Sequence, residues 1–139
     1  MPDAAMPLRA LNLLLVEPQS MVRSTVVAVA RELRLPRIDD TSSVETARLR
    51  LATTRYDGLL LSLDEQEPAI ALLERLRAGE TVSPADAPVV VMAARCDTGL
   101  ALTLKQLEVS RLLIKPFKVK TLLETIEALA EQVVQRETA

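Results

Sequence analysis

The sequence predicts an α/β fold in which five parallel strands alternate with five helices, and three observations carry that prediction. Short, mainly apolar runs at residues 11–16, 59–63 and 89–92, interrupted only by Asn12 and Ser62, suit strands covered on both faces. Between them lie segments whose apolar residues recur at three- and four-residue spacing, as on amphipathic helices. Breakers separate the two kinds of segment, among them Pro36, Asp57-Gly58, Gly79 and Lys115-Pro116. Such an alternation gives a parallel sheet with helices on both sides.

The elements follow in order. The run at 11–16 should be central in the sheet. After Glu17 and Pro18, where proline suits a first helical turn, Val22, Val26, Val29 and Leu33 form a helical stripe with Arg23, Arg31 and Glu32 off it. Pro36 stops that helix. A half-polar strand Arg37–Thr41 leads to Ser42 with Glu45 three residues on, a capping-box pattern for a helix ending before Asp57. Asp57-Gly58 opens the strand at 59–63. From Pro68, the residues Ile70, Leu72, Leu73 and Leu76 mark a helix that Gly79 ends. A polar loop with two prolines delivers the strand at 89–92, and Leu100, Leu104 and Leu107 share one face of the next helix. The strand Arg111–Ile114 precedes Lys115-Pro116-Phe117, and Leu122, Ile126, Leu129 and Val133 mark a last helix running to about Gln135. The expected organisation is a flexible N-terminal segment 1–9, one domain at 10–135 and a flexible tail 136–139.

Composition narrows the functional classes. With 139 residues, 49% of them apolar and 26% charged, the chain has the size and make-up of one globular domain. The 17 basic and 19 acidic residues are dispersed and leave a net charge of −2, which argues against nucleic-acid binding; one Phe, one Tyr and no Trp provide no stacking platform for bases. No apolar run is long enough for a membrane span, and residues 1–9 do not read as a signal peptide, so a cytoplasmic protein is expected. The single Cys96 excludes an internal disulfide and is expected to be a reduced loop residue. The absence of histidine removes the commonest zinc ligand and general base. Neither a cofactor nor a metal is expected, and the chain does not read as an enzyme.

The order LNLLLVEP, YDGLLLSL, APVVVMAA and RLLIKPF, at these separations, resembles the receiver domain of two-component response regulators, over nearly the whole chain. The resemblance implies a flavodoxin-like three-layer sandwich, (βα)5, whose five-stranded parallel sheet has the order 2-1-3-4-5. Its pocket would lie at the carboxyl ends of the first and third strands. It also implies roles for particular positions. The two acidic residues that hold magnesium after the first strand correspond to Glu17 and Pro18. The phosphoryl-accepting aspartate corresponds to Ser62, and the hydroxyl residue ending the fourth strand to Ala93. The aromatic residue that reports phosphorylation corresponds to Leu112. Lys115 and Pro116 are as in the family, with a cis peptide implied between them. The glycine that usually ends the fourth helix is Glu108, so a different cap is expected there.

These substitutions describe a degenerate pocket of Glu17, Pro18, Ser62, Ala93 and Lys115. A serine hydroxyl is a poor metal ligand and a weak nucleophile, whereas phosphoryl capture needs a carboxylate beside a divalent ion. A Glu17–Lys115 pair would close the site without an ion. The leading expectation is a non-phosphorylatable pseudo-receiver that serves bacterial signal transduction as a protein-interaction or dimerisation module. Its partner would be a kinase, a regulator or another receiver, and a homodimer is one form. The expected interaction face comprises Leu102, Lys105, Arg111, Leu112 and Leu122, and the wide apolar stripe of the last helix, with Leu123, Ala130 and Val134, is a further docking candidate. Two alternatives remain open. Asp64 could accept a phosphoryl group with Glu17 and magnesium, Glu17 holding the ion together with Asp64 or Glu65, or Lys115 and the amides opening the first helix could bind a small anion or nucleotide.

Overall fold

The computed structural model describes residues 11–34 and 37–138; the expected flexible segment 1–9 and the stop at Pro36 lie outside the described residues. Ten elements alternate strictly: β1 (Asn12–Val16), α1 (Ser20–Glu32), β2 (Arg37–Thr41), α2 (Val44–Thr53), β3 (Gly58–Ser62), α3 (Gln66–Arg77), β4 (Val89–Ala93), α4 (Thr98–Gln106), β5 (Arg111–Ile114) and α5 (Val119–Thr138). The strands form one parallel sheet in the order β2-β1-β3-β4-β5, as the resemblance implied. The central strands are apolar apart from Asn12 and Ser62 at their ends, because helices cover both of their faces.

Side chains alternate between two cores, as the period of two in a strand requires. Leu14, Val16, Leu59, Leu61, Val89 and Val91 pack under α2, α3 and α4. Leu13, Leu15, Leu60, Val90, Met92 and Leu113 pack under α1 and α5. β2 is an edge strand and carries exposed Arg37, Asp39 and Asp40, charges that discourage pairing with another sheet. Gly58 opens β3 where a Cβ would stand 3.1 Å from the Leu13 side chain and 3.4 Å from the Pro88 carbonyl oxygen, so any larger residue would make Leu13 give by a few tenths of an ångström.

Helix ends carry three differences from the sequence expectations. The cap of α2 is Ser43, not Ser42. Its Oγ accepts from the Thr46 amide at 3.1 Å and donates to Thr46 Oγ1 at 2.9 Å, while Glu45 turns to Arg48 instead of back to the cap. The end of α4 is not capped differently from a glycine end. Glu108 takes φ 57°, and the Glu108 and Val109 amides donate to the Lys105 and Leu104 carbonyls at 3.0 Å each. That is the closure Gly79 (φ 78°) makes at the end of α3, with a side chain accepted at a strained position. Finally, α5 runs to Thr138, so the expected tail from residue 136 is helical over 136–138. Arg136 in its last turn favours the helix dipole and meets Asp86 at 3.4 Å.

Arg77 ties the lower end of this half of the molecule together. Its guanidinium donates to the carbonyls of Leu107, Ala85 and Ala87 at 2.8 Å and of Glu108 at 3.3 Å, joining α3, the loop before β4 and the end of α4. Burial holds its pKa below the ordinary arginine value, with Glu108 and Asp86 opposing that shift.

Candidate functional site

The carboxyl ends of β1, β3 and β5 converge on Lys115. β5 delivers this residue just past its last pair, where the Lys115 amide donates to the Ala93 carbonyl at 2.8 Å, and the Lys115–Pro116 peptide is cis. The ammonium Nζ lies 2.6 Å from Glu17 Oε1, 3.3 Å from Asp64 Oδ1 and 3.2 Å from Ser62 Oγ. The Lys115 side chain is 9% exposed, that of Glu17 is wholly buried, and that of Asp64 is 23% exposed. The close contact to Glu17 Oε1 is ionic rather than an aligned hydrogen bond, since that oxygen has no hydrogen-bond donor.

The remaining polar atoms are also committed. Glu17 Oε2 accepts from the Gln19 amide at 3.0 Å, and the Glu17 carbonyl accepts from Arg23 at 2.8 Å. Arg23 pairs in turn with Asp40 at 3.3 Å. Ser62, 1% exposed at the last position of β3, accepts from the Asp64 amide at 3.2 Å as well as from Lys115. Asp64 Oδ2 accepts from Gln19 Nε2 at 2.9 Å. Pro18 precedes the α1 cap Gln19 instead of lying in the first turn, and Ala93 is buried and offers no hydroxyl.

The structure thus brings Glu17, Ser62 and Lys115 together as the sequence led one to expect, and corrects the expectation that Glu17 is the only carboxylate. Asp64 also faces the ammonium. The chain turns out of the sheet immediately after Leu63, and that turn carries Asp64 back over the strand ends. Gln19, which bridges the two carboxylates, was not anticipated. Its signal is only that it follows Glu17-Pro18. Two of the donors of the anion alternative are engaged: the Gln19 amide by Glu17, and Lys115 by two carboxylates.

Magnesium requires hard oxygen donors in near-octahedral array. The donors present are two carboxylates, both engaged by an ammonium, and one neutral hydroxyl, and no group of three metal-binding side chains occurs among the described residues. This set does not fit a resident magnesium ion. Beside it, a cavity of about 400 Å³ lies between α1 and the turn after β5, lined mainly by Met21, Val22, Pro116 and Phe117, with Gln19 and Lys115 at its polar end.

The expected interaction face divides. Leu102 is 56% exposed, Lys105 and Arg111 are exposed, and Leu112 is half-buried against the α4-side core. Leu122 does not belong with them. It is fully buried on the inner face of α5, because it begins the stripe that faces the sheet. Ala130 is buried as well, so part of the width of the α5 stripe is used inside the domain. Two exposed residues were missed, Ile114 at 46% and Val119 at 59%. The run Arg111–Ile114 hides this because β5 is an edge strand, and α4 leaves the end of its face open.

No family model matches the sequence, and no curated protein matches it. Solved structures do. A response regulator from Thermotoga maritima is 18% identical with a TM-score of 0.74, covering 87% of this chain and 98% of that one. The chemotaxis protein CheY4 of Vibrio cholerae is 15% identical with a TM-score of 0.74, covering 86% and 98%. A response regulator receiver domain protein from Methanospirillum hungatei is 13% identical with a TM-score of 0.75, covering 91% and 99%. No helix among the described residues is long and apolar enough to cross a membrane. Strand order and these similarities agree, and the chain has the receiver fold of response regulators.

Proposed function

We propose that this chain is a pseudo-receiver, a receiver-fold module that takes part in signalling through protein contact and not through an aspartyl phosphate. The observation that carries this reading is the state of the pocket. A buried neutral serine ends β3, and the lysine ammonium lies against it, held by Glu17 at 2.6 Å and Asp64 at 3.3 Å. Opening that arrangement for a divalent ion and a phosphoryl donor means separating a buried ion pair, which costs several kcal/mol before any new contact is made. The module catalyses no reaction and needs no cofactor in this reading. Its partner is another signalling protein, met through the exposed side chains of α4, β5 and the start of α5.

The test is a set of amide spectra recorded while magnesium and beryllofluoride, a phosphoryl mimic, are added to the full chain. The expected result is no change at Ser62, Asp64, Glu17 or Lys115. Saturable shifts centred on Asp64 would instead identify it as an acceptor and overturn the proposal.

A further inference from the structure

We infer that the cavity between α1 and the turn after β5 binds a small, neutral aromatic molecule that carries a hydroxyl group. The inference goes beyond the contact role proposed above and does not depend on the surface assigned to that role. The cavity measures about 400 Å³, at the small end of the ~300–1,000 Å³ that ligand pockets occupy, so it suits a molecule of one or two rings. Most of its wall is apolar: Met21 and Val22 come from the start of α1, Ala94 follows β4, and Pro116 and Phe117 follow β5. Ala94 contributes only a methyl group, where a longer side chain would enter the space.

Charge decides against an ionised ligand. Lys115 is the one ionisable residue in the wall, and its Nζ has Glu17 Oε1 at 2.6 Å, Ser62 Oγ at 3.2 Å and Asp64 Oδ1 at 3.3 Å, a neighbour for each of its three protons. An anion entering the cavity meets an ammonium already outnumbered by two carboxylates. A cation meets that ammonium first, since Lys115 lines the wall and the two carboxylates do not. Two other cavities differ in this respect: the one between α3 and α4 carries Glu67, Glu74 and Asp97, and the one at the lower end carries Arg77, Asp86 and Glu108.

The hydrogen bonding left in the wall selects the head group. Thr25 Oγ1 donates to the Met21 carbonyl at 2.9 Å, which spends its proton and leaves lone pairs to accept. Gln19 Nε2 donates to Asp64 at 2.9 Å, and Gln19 Oε1 accepts from no described residue. Two acceptors thus stand beside one remaining amide proton, and a hydroxyl, which both donates and accepts, complements them. The Phe117 ring and the Met21 sulfur favour an aromatic body over an aliphatic one, and Met21, 83% exposed, would be covered by it. An occupant held by Gln19 also touches the inert pocket, because Gln19 binds Asp64 through its side chain and Glu17 through its amide.

The experiment uses the full chain and tryptophol, beside tryptamine and indolepropionate, which keep the indole and exchange the hydroxyl for an ammonium or a carboxylate. Tryptophol should give saturable amide shifts centred on Met21, Val22 and Phe117, with an affinity unchanged by salt, and each charged analogue should bind at least about tenfold more weakly. Met21→Glu places a charge at the mouth and Ala94→Phe fills the space, and each should weaken tryptophol at least about tenfold. Both positions are exposed, an unchanged melting temperature checks folding, and the comparison of analogues needs no variant. Equal or tighter binding of a charged analogue, absent shifts, shifts centred elsewhere, or full affinity in a folded Ala94→Phe would overturn the inference. So would the same shifts on concentrating the protein alone with a doubled sedimentation mass, or their appearance at lower concentration of a leucine-faced helical peptide, since a second copy or a protein helix would then be the occupant. Neither magnesium nor a phosphoryl mimic is added, so failure here alongside silence in the beryllofluoride titration removes the ligand and leaves the pseudo-receiver reading standing.

Discussion

Replacing Lys115 by methionine removes the ammonium while keeping most of the side-chain volume, and the consequence can be worked from the pocket distances. At 2.6 Å, the attraction between Lys115 and Glu17 is roughly 6 kcal/mol at an effective dielectric near 20, before desolvation is subtracted. The second contact, 3.3 Å to Asp64, is worth less because that carboxylate is 23% exposed and water screens it. The net value of the pair is small, since taking both ions out of water offsets most of the attraction. The cost of removing one member is not small. Glu17 is wholly buried and would be left as an uncompensated charge, a change of about 3–5 kcal/mol. Urea unfolding followed by circular dichroism measures this directly. With a slope of about 2 kcal/mol per molar, the midpoint of Lys115→Met should fall by roughly 2 M. The double variant Lys115→Met with Glu17→Leu should recover to within about 1–2 kcal/mol of the parent, because an apolar pair of similar volume carries no desolvation cost. A loss below about 1 kcal/mol in the single variant, or additive losses in the double, would refute the reasoning.

Four other outcomes follow from particular contacts. Ser62→Asp puts a third carboxylate beside the ammonium, and we expect a melting temperature that is lowered without divalent ions and raised by millimolar magnesium, while the parent melts at the same temperature in both. Arg77→Met removes the donors to Leu107, Ala85, Ala87 and Glu108 and should cost about 2–3 kcal/mol in urea unfolding, with faster amide exchange in α4. Glu108→Gly relieves a side chain held at φ 57° and should stabilise by about 0.5–1 kcal/mol, read as a rise in the urea midpoint. The Tyr56 hydroxyl donates to Asp39 at 2.7 Å, and burial first, then that hydrogen bond and the Asp39 charge, push its pKa from 10.0 up to about 12. A pKa raised on folding gives stability that is whole below pH 10 and lost as pH rises towards 12; urea midpoints across that window should show a loss of about 2 kcal/mol that is absent in Tyr56→Phe.

Much of this architecture could be read from residue pattern because the central strands are buried on both faces. A strand such as Leu13, Leu14, Leu15 or Val89, Val90, Val91 has no polar position to confuse its period, and the half-polar β2 and the edge strand β5 were both expected within their observed bounds. Helix ends were less legible. Ser42 and Ser43 both suit a cap, and only the extended backbone of Ser43, with its oxygen turned to Thr46, decides between them. Within the pocket, Glu17, Ser62 and Lys115 were assigned from the resemblance to receiver domains, each at the end of an apolar strand that fixes its place. Asp64 was given a place there only in the alternative reading, because it follows the strand, where the direction of the chain depends on a turn that no periodicity encodes. Leu122 was misassigned for the opposite reason. Its position at the start of α5 looked peripheral, but the stripe with Ile126, Leu129 and Val133 points at the sheet and takes Leu122 with it.

The most direct measurement of the central claim is the intact mass of the chain after incubation with acetyl phosphate and magnesium, quenched under conditions that preserve acyl phosphates. The account predicts an unchanged mass, because Ser62 is a buried neutral hydroxyl and the two pocket carboxylates are held by Lys115. A species heavier by one phosphoryl group, lost in Asp64→Asn and retained in Ser62→Ala, would contradict it.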